Sequence, residues 1–546
     1  MSSRNGNKTP PPYAKKFPDS TVVPSQLPHW KWPGVTWEST QAVREVLEEN
    51  DRGYDIYERR RFAHNHFSHS VLTRYALGAP AKALRDTWEH DKKHLVSLDP
   101  SGSDRKDVDE KKVPEKIDRD NWGDRKYIGV KGNYSRYLTF FHTEIDRMGP
   151  IRTVDKYIFA PDANWRPFKL ENGEECEGPK MIDRLMAGVL HPFIHVGFGL
   201  EFGDRVVLAE GLAETAIHQD EITGRLITPE YLEQLSKPVD PSTAHTRRPA
   251  RDVSSEDDLQ PSTSREPRLG RSILEIYAIM TTSEKTTPPK YDPDSMINDK
   301  LIAATEDGRA QALRELVEQW SLCDEELADG KAGWERKYEE IAVFVTLLAC
   351  GTGRQRHEPR VDFFLMHALT SSIFLPSYLP HLSIPNRRTL LRSYLLAVLH
   401  TSLSRGRPHL NPELVMSYDA FPVSPNTDGG LKQLKDARQA LGEPQNKESR
   451  NPWLSLTEKS LAYPDSHVPK SIRSLVYFSS LYGATPPGNF IGTYLTGGQT
   501  HETIKGMSKV DGSLFIRAAG AIMSQVGKGE EAEWDRSALG YDEAWE

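Results

Sequence analysis

Cysteine is scarce: Cys176, Cys323 and Cys350 are the three in 546 residues, far apart and without a Cys-x-x-Cys pair. That excludes a disulfide framework and the usual structural zinc arrangement. Long apolar runs are missing as well. No stretch approaches the roughly 18 apolar residues that a membrane-spanning helix needs. The opening "MSSRNGNKTPPPYAKKFP" lacks the apolar core of a secretory leader. The expectation is a cytoplasmic protein with reduced thiols and no membrane partner. There is no basic surplus either: 70 Lys and Arg stand against 78 Asp and Glu, a formal net charge of -8, which argues against a nucleic-acid partner. No G-x-S-x-G, Cys-His elbow or P-loop is found, so a hydrolase nucleophile and a phosphate cradle are both missing. Alternating β-branched runs are few and no repeat recurs at a fixed period.

What is present is helical patterning. "STQAVREVLEEN" has an N-cap candidate and apolar residues at helical spacing, and "HFSHSVLTRYALGAP" runs into Gly78 and Pro80, a helix stop. Further helical patterns cover 297–321, 333–350, 361–379, 386–405 and 468–482. The fold class is mainly α: a large helical enzyme with one core, built from two halves. Residues 1–40 read as an extended arm that packs through Trp30, Trp32 and Trp37, and 41–235 as the N-terminal half. Residues 236–272, rich in Pro and Ser and without aromatics, read as a disordered insertion, and 273–546 as the C-terminal half completing the same core.

Histidines concentrate in apolar segments. "GVLHPFIHVGFGLEF" sets His191 and His195 four residues apart. A zinc protease needs Glu after the first His, and Pro192 stands there instead. Proline fits the first position of a helix, placing His191 at its entrance and His195 a turn inside. The dinucleotide fingerprint also fails, because Gly203 follows Gly197 and Gly199 one residue late. "HNHFSH" carries His64, His66 and His69; on a helix His66 and His69 share a face with Thr73, and His64 falls on the other side. In "DFFLMHALTSSIFLP", His367 is surrounded by apolar side chains, and Asp362 reads as an N-cap.

Together, "HNHFSHSVLTRYALGA", "HPFIHVGFGLEF", "DFFLMHALTSSIFLP" and "DGSLFIRAAGAIM" resemble the questin oxidase-like family, and "HVPKSIRSLVYFSSLYG" is similar to a further family segment. The resemblance implies a Baeyer–Villiger-type oxygenase of fungal polyketide pathways that cleaves an anthraquinone ring with O₂. NADPH is the implied reductant, acting on the substrate itself or through another enzyme, and no flavin is expected. The matching histidines are His66, His69, His191, His195 and His367. One version has them work as acid and base on a reduced hydroquinone. The other has the same five hold iron, with Glu201 or Asp362 as the carboxylate. Phe198, Phe202, Phe363 and Phe374 are expected as walls of a slot, with Gly197 and Gly199 giving room for a flat ring. A non-enzymatic helical scaffold is the reading from another class, and it requires the His motifs to lie far apart.

Overall fold

The computed structural model describes residues 19–58, 63–98, 116–170, 172–236, 270–330, 333–422, 447–495, 501–526 and 533–546. The expected disordered insertion lies outside these residues except at its ends. There Ser236 closes a helix and Ser272 caps the helix Ile273–Thr282. The first 18 residues of the arm also lie outside them.

The chain is mainly α, as its periodicity implies. The helices that build the site are α1 (Trp37–Gly53), α2 (Phe67–Ala76), α3 (Tyr134–Met148), α4 (Met181–Glu201), α5 (Arg205–Ile217), α6 (Trp334–Cys350), α7 (Phe363–Ser372), α8 (Ile384–Ser404), α9 (His467–Tyr482) and α10 (Leu514–Val526). Among the described residues strands are confined to two antiparallel pairs, Tyr54–Glu58 with Leu95–Ser97 and Phe168–Lys169 with Glu175–Cys176. Helix α1 starts in a capping box between Thr36 and Ser39, three residues before the N-cap that its sequence suggests. The pattern at 297–321 splits into Ile297–Ala303 and Arg309–Glu318, broken where Asp307 and Gly308 take left-handed dihedrals.

One hydrophobic cluster runs from Val22 to Trp534. At its centre α4 and α5 form a hairpin with a short connection. Glycines let these helices touch: a Cβ on Gly199 would sit 2.6 Å from the Leu208 backbone, and one on Gly211 2.6 Å from the Val196 nitrogen. Around α4 a ring of contacts closes, because α2 packs on α4, α4 on α7, α7 on α9, and α9 back on α2. The arm lies along the end of α4, where the Val23 and Gln26 amides donate to the carbonyls of Phe202 and Glu201. Trp30 and Trp32 pack partly buried on the core, but Trp37 is 76% exposed. The expectation that all three tryptophans pack is corrected there, because Trp37 begins α1 on its solvent side.

Candidate functional site

The four helices of the ring bring six histidines together. His66 is the N-cap of α2 and His69 lies in its first turn. His64 precedes the helix in a bridge to Tyr57, so the helical reading of "HNHFSH" begins too early. The Asn65 side chain accepts the Phe67 amide and donates to Asn50, which fixes the approach to α2.

Helix α4 is kinked at the quoted motif. Ala187 is extended, and Gly188, Val189 and Leu190 are all left-handed, with φ of 55°, 54° and 68°. Left-handed Val and Leu cost about 1 kcal/mol or more each. In return the Gly188 carbonyl turns onto His191, accepting from its Nδ1 at 2.5 Å. The helix restarts at His191 and Pro192, as proline at a first helical position requires. Gly188 has no substitute: besides its φ, a Cβ would run into the His218 ring.

Four imidazoles then share one arrangement. His66 Nδ1 lies 2.6 Å from the His64 carbonyl, His191 Nδ1 2.5 Å from that of Gly188, and His367 Nδ1 2.8 Å from that of Phe363. His467 Nδ1 lies 2.7 Å from Asp465 Oδ1. Carbonyls and ionised carboxylates only accept, so each Nδ1 carries the proton and each Nε2 keeps its lone pair. Among the described residues no donor uses these Nε2 atoms. His66 and His191 face each other Nε2 to Nε2 at 2.9 Å, while those of His367 and His467 are buried without a hydrogen-bond partner. The His367 ring lies 5.0 Å from both His191 and His467, and the His467 ring 4.9 Å from His66.

Burial, reinforced by neighbouring imidazoles and Lys470, holds His66, His191 and His367 well below the ordinary imidazole range, and His467 below it. They are therefore neutral near pH 7 and weak bases, at odds with a histidine poised near neutrality to take a phenolic proton. Neutral imidazoles with Nδ1–H anchored to oxygen and converging Nε2 lone pairs are what a metal ligand set requires. His66, His191 and His467 each offer one ligand atom within 4.8 Å of the others. Lys470, one turn along α9, is buried with its Nζ unpartnered among the described residues, and burial pulls it down to about 7.

His195 differs. Its Nε2 lies 2.9 Å from Glu210 Oε2 and its Nδ1 3.3 Å from Glu214 Oε2, all fully buried. Burial opposes the charge, yet the two carboxylates push its pKa up to about 9. His195 is thus an imidazolium locked in an ion pair, with no nitrogen free to bind a metal or to take a proton; of the expected roles it keeps only the proton of an acid. Glu210 also accepts from Asn50 and Ser68. His69 stands between the two groups, 4.9 Å from His195 and 5.6 Å from His66, and stacks on Phe198.

The carboxylates expected as iron ligands are engaged elsewhere. Glu201 pairs with buried Arg473 and takes a hydrogen bond from Ser25. Asp362 caps α7 through the Phe364 and Leu365 amides and pairs with Arg405 at 2.8 Å. The slot is also redrawn. Phe198, Phe202 and Phe374 are fully buried, with Phe198 and Phe374 4.5 Å apart, and are core packing. A Cβ on Gly197 would meet Phe374 at 2.5 Å, so Gly197 and Gly199 make room for a phenyl ring and for α5, not for a ligand. Phe363 alone of the expected walls is partly exposed, 5.0 Å from both His367 and His467.

Residue-by-residue reading missed His467, Lys470 and His218, and it set His64 on the side away from His66 and His69. His467 and Lys470 lie in the quoted "HVPKSIRSLVYFSSLYG", and both are buried. His218 Nε2 lies 3.0 Å from His64 Nε2, and the His64 ring stacks 4.3 Å from His191.

Comparison with known proteins agrees with the quoted segments up to residue 475; "DGSLFIRAAGAIM" lies beyond the match. The sequence model of the questin oxidase-like family matches residues 63–475. The chain is 27% identical to a Baeyer–Villiger monooxygenase of Aspergillus aculeatus over 63% of each chain. It is 26% identical to a Baeyer–Villiger oxidase of Pestalotiopsis fici over 80% of each. It is 23% identical to the questin oxidase of Aspergillus terreus over 61% of each. The matched region thus spans a little under two thirds of the Aspergillus proteins. Among the described residues no helix is long and apolar enough to cross a membrane.

Proposed function

The chain belongs to the questin oxidase-like family, and from that premise we propose that it is an oxidoreductase that opens a ring of an anthraquinone-type polyketide with O₂ at a histidine-bound iron centre. The relatives named as Baeyer–Villiger and questin oxidases support the reaction class. The observation that carries the centre is that His66, His191 and His467 bring their ligand atoms within 4.8 Å of one another, each with its Nδ1 tied back to oxygen, while His367 stands beside them in the same arrangement. Imidazole suits first-row metals. An iron(II) ion held there supplies the one-electron chemistry that O₂ needs.

The protein's own part is positional. The kink at Gly188–Leu190 and the cap of α2 hold the Nε2 atoms of His191 and His66 opposite each other. Phe363 offers an aromatic wall beside His367 and His467, suited to a flat substrate. The His195–Glu210–Glu214 ion pair braces α4 against α5 beneath the cluster. In the overall balance one oxygen atom enters next to a ring carbonyl and the other leaves as water. The two electrons come from NADPH, spent on the substrate before or at this enzyme. Water opens the resulting lactone to a carboxylic acid.

A metal-free version has the reduced hydroquinone react with O₂ directly. Its base would be Lys470, whose amine titrates near neutrality, instead of the depressed histidines. Purified protein given a chemically reduced anthraquinone and O₂, with and without a strong chelator, separates the two. Ring-opened product that disappears with chelator and returns with iron(II) supports the iron centre. Full turnover in the metal-free protein favours Lys470 and overturns it.

A further inference from the structure

The segment Glu533–Ser537 lies beyond the family match, yet it reaches the histidine cluster. It is strapped to the start of α7 by backbone: the Phe363 amide donates to the Asp535 carbonyl at 2.7 Å and the Asp535 amide to Val361 at 3.0 Å. Arg360 pairs with Asp535 at 2.7 Å, and Arg405 donates to the Arg536 carbonyl at 2.7 Å. This strap turns the Trp534 indole, 8% exposed, inward. Its Nε1–H donates to Asp465 Oδ2 at 2.8 Å. The other oxygen, Oδ1, accepts from both the His467 amide at 2.8 Å and its Nδ1 at 2.7 Å. Asp465 is therefore held at both ends.

We propose that Trp534 is a positioning residue for the centre: by fixing Asp465 it fixes the His467 tautomer and aims Nε2 at His66 and His191. Without the indole N–H, Asp465 keeps only its two bonds to His467 and turns more freely about its last torsion, which loosens the hold on the Nδ1 proton. The consequence for metal binding rests on the iron reading above. The consequence for the tautomer does not.

The test uses the full chain with ¹⁵N-labelled histidine and Co²⁺ as the metal probe, in wild type, W534F, D465N and the double variant. Wild-type His467 should show a single Nδ1–H tautomer, and W534F a mixture. Co²⁺ affinity, measured against a competing chelator, should fall about tenfold in W534F, within the range for outer-shell partners. It should fall at least as far in D465N and no further in the double variant. Should W534F fail to fold, site-specific β-(3-benzothienyl)alanine keeps the bicyclic shape and removes only the N–H. An unchanged tautomer and affinity, or an equal loss from W534F in the D465N background, would overturn the proposal. If wild type itself binds no Co²⁺, the iron reading fails while the tautomer comparison still decides the role of Trp534.

Discussion

His191 and His195 stand one turn apart on α4, both buried, and their surroundings give them opposite charge states. His191 has a carbonyl on one nitrogen and another imidazole on the other, and burial holds it neutral. His195 has a carboxylate at each nitrogen and is held protonated. What separates a ligand-like imidazole from a bracing one is the chemistry at its second nitrogen, not its burial or its spacing along the helix.

The comparison breaks most visibly through the neutral group. His191→Ala or His467→Ala should cut ring cleavage at least 100-fold and abolish binding of one metal ion per chain, while circular dichroism stays unchanged. Turnover near wild type in either would remove them from the centre. On the charged side, His195→Ala leaves two buried carboxylates unpaired and should cost about 3–5 kcal/mol of stability. Chemical denaturation measures it, and metal stoichiometry in the surviving folded fraction should stay at one.

A pH series sharpens the same contrast. The folded pKa of His195, about 9, lies above its ordinary 6.5. Its stabilisation is therefore complete below about pH 6.5 and is lost as pH rises through 9, a change of order 3 kcal/mol. Melting temperatures of wild type and His195→Gln should converge between pH 7 and 10. Curves that stay parallel would contradict an imidazolium. The smallest effect is expected at the carboxylates that are paired elsewhere: Glu201→Gln and Asp362→Asn should change metal affinity less than about twofold, read by the same chelator competition. A large loss in either would restore it as a ligand.

Much of this was legible beforehand. Helical periodicity gives the class, Pro192 marks where α4 restarts, and histidines in apolar segments point to the cluster proposed as the site. The rest depended on partners distant in sequence. Glu210 and Glu214 reach His195 only because α4 and α5 fold back on each other, although two Glu one turn apart in the apolar "LAEGLAETAI" were a usable sign. His467 stands at the start of a segment read only as a helical pattern, where its neighbours Lys470 and Arg473 are 3% and 1% exposed. The glycines of "GFG" suggested space, and helix packing fills it. Asp465 and Trp534 come together only in three dimensions.

The most direct measurement of the central claim is metal content by mass spectrometry after anaerobic loading with iron(II) and desalting, for wild type, His195→Gln and His467→Ala. The expected result is one iron per chain in wild type and His195→Gln and none in His467→Ala. No bound iron in wild type, or equal iron in all three, would contradict it.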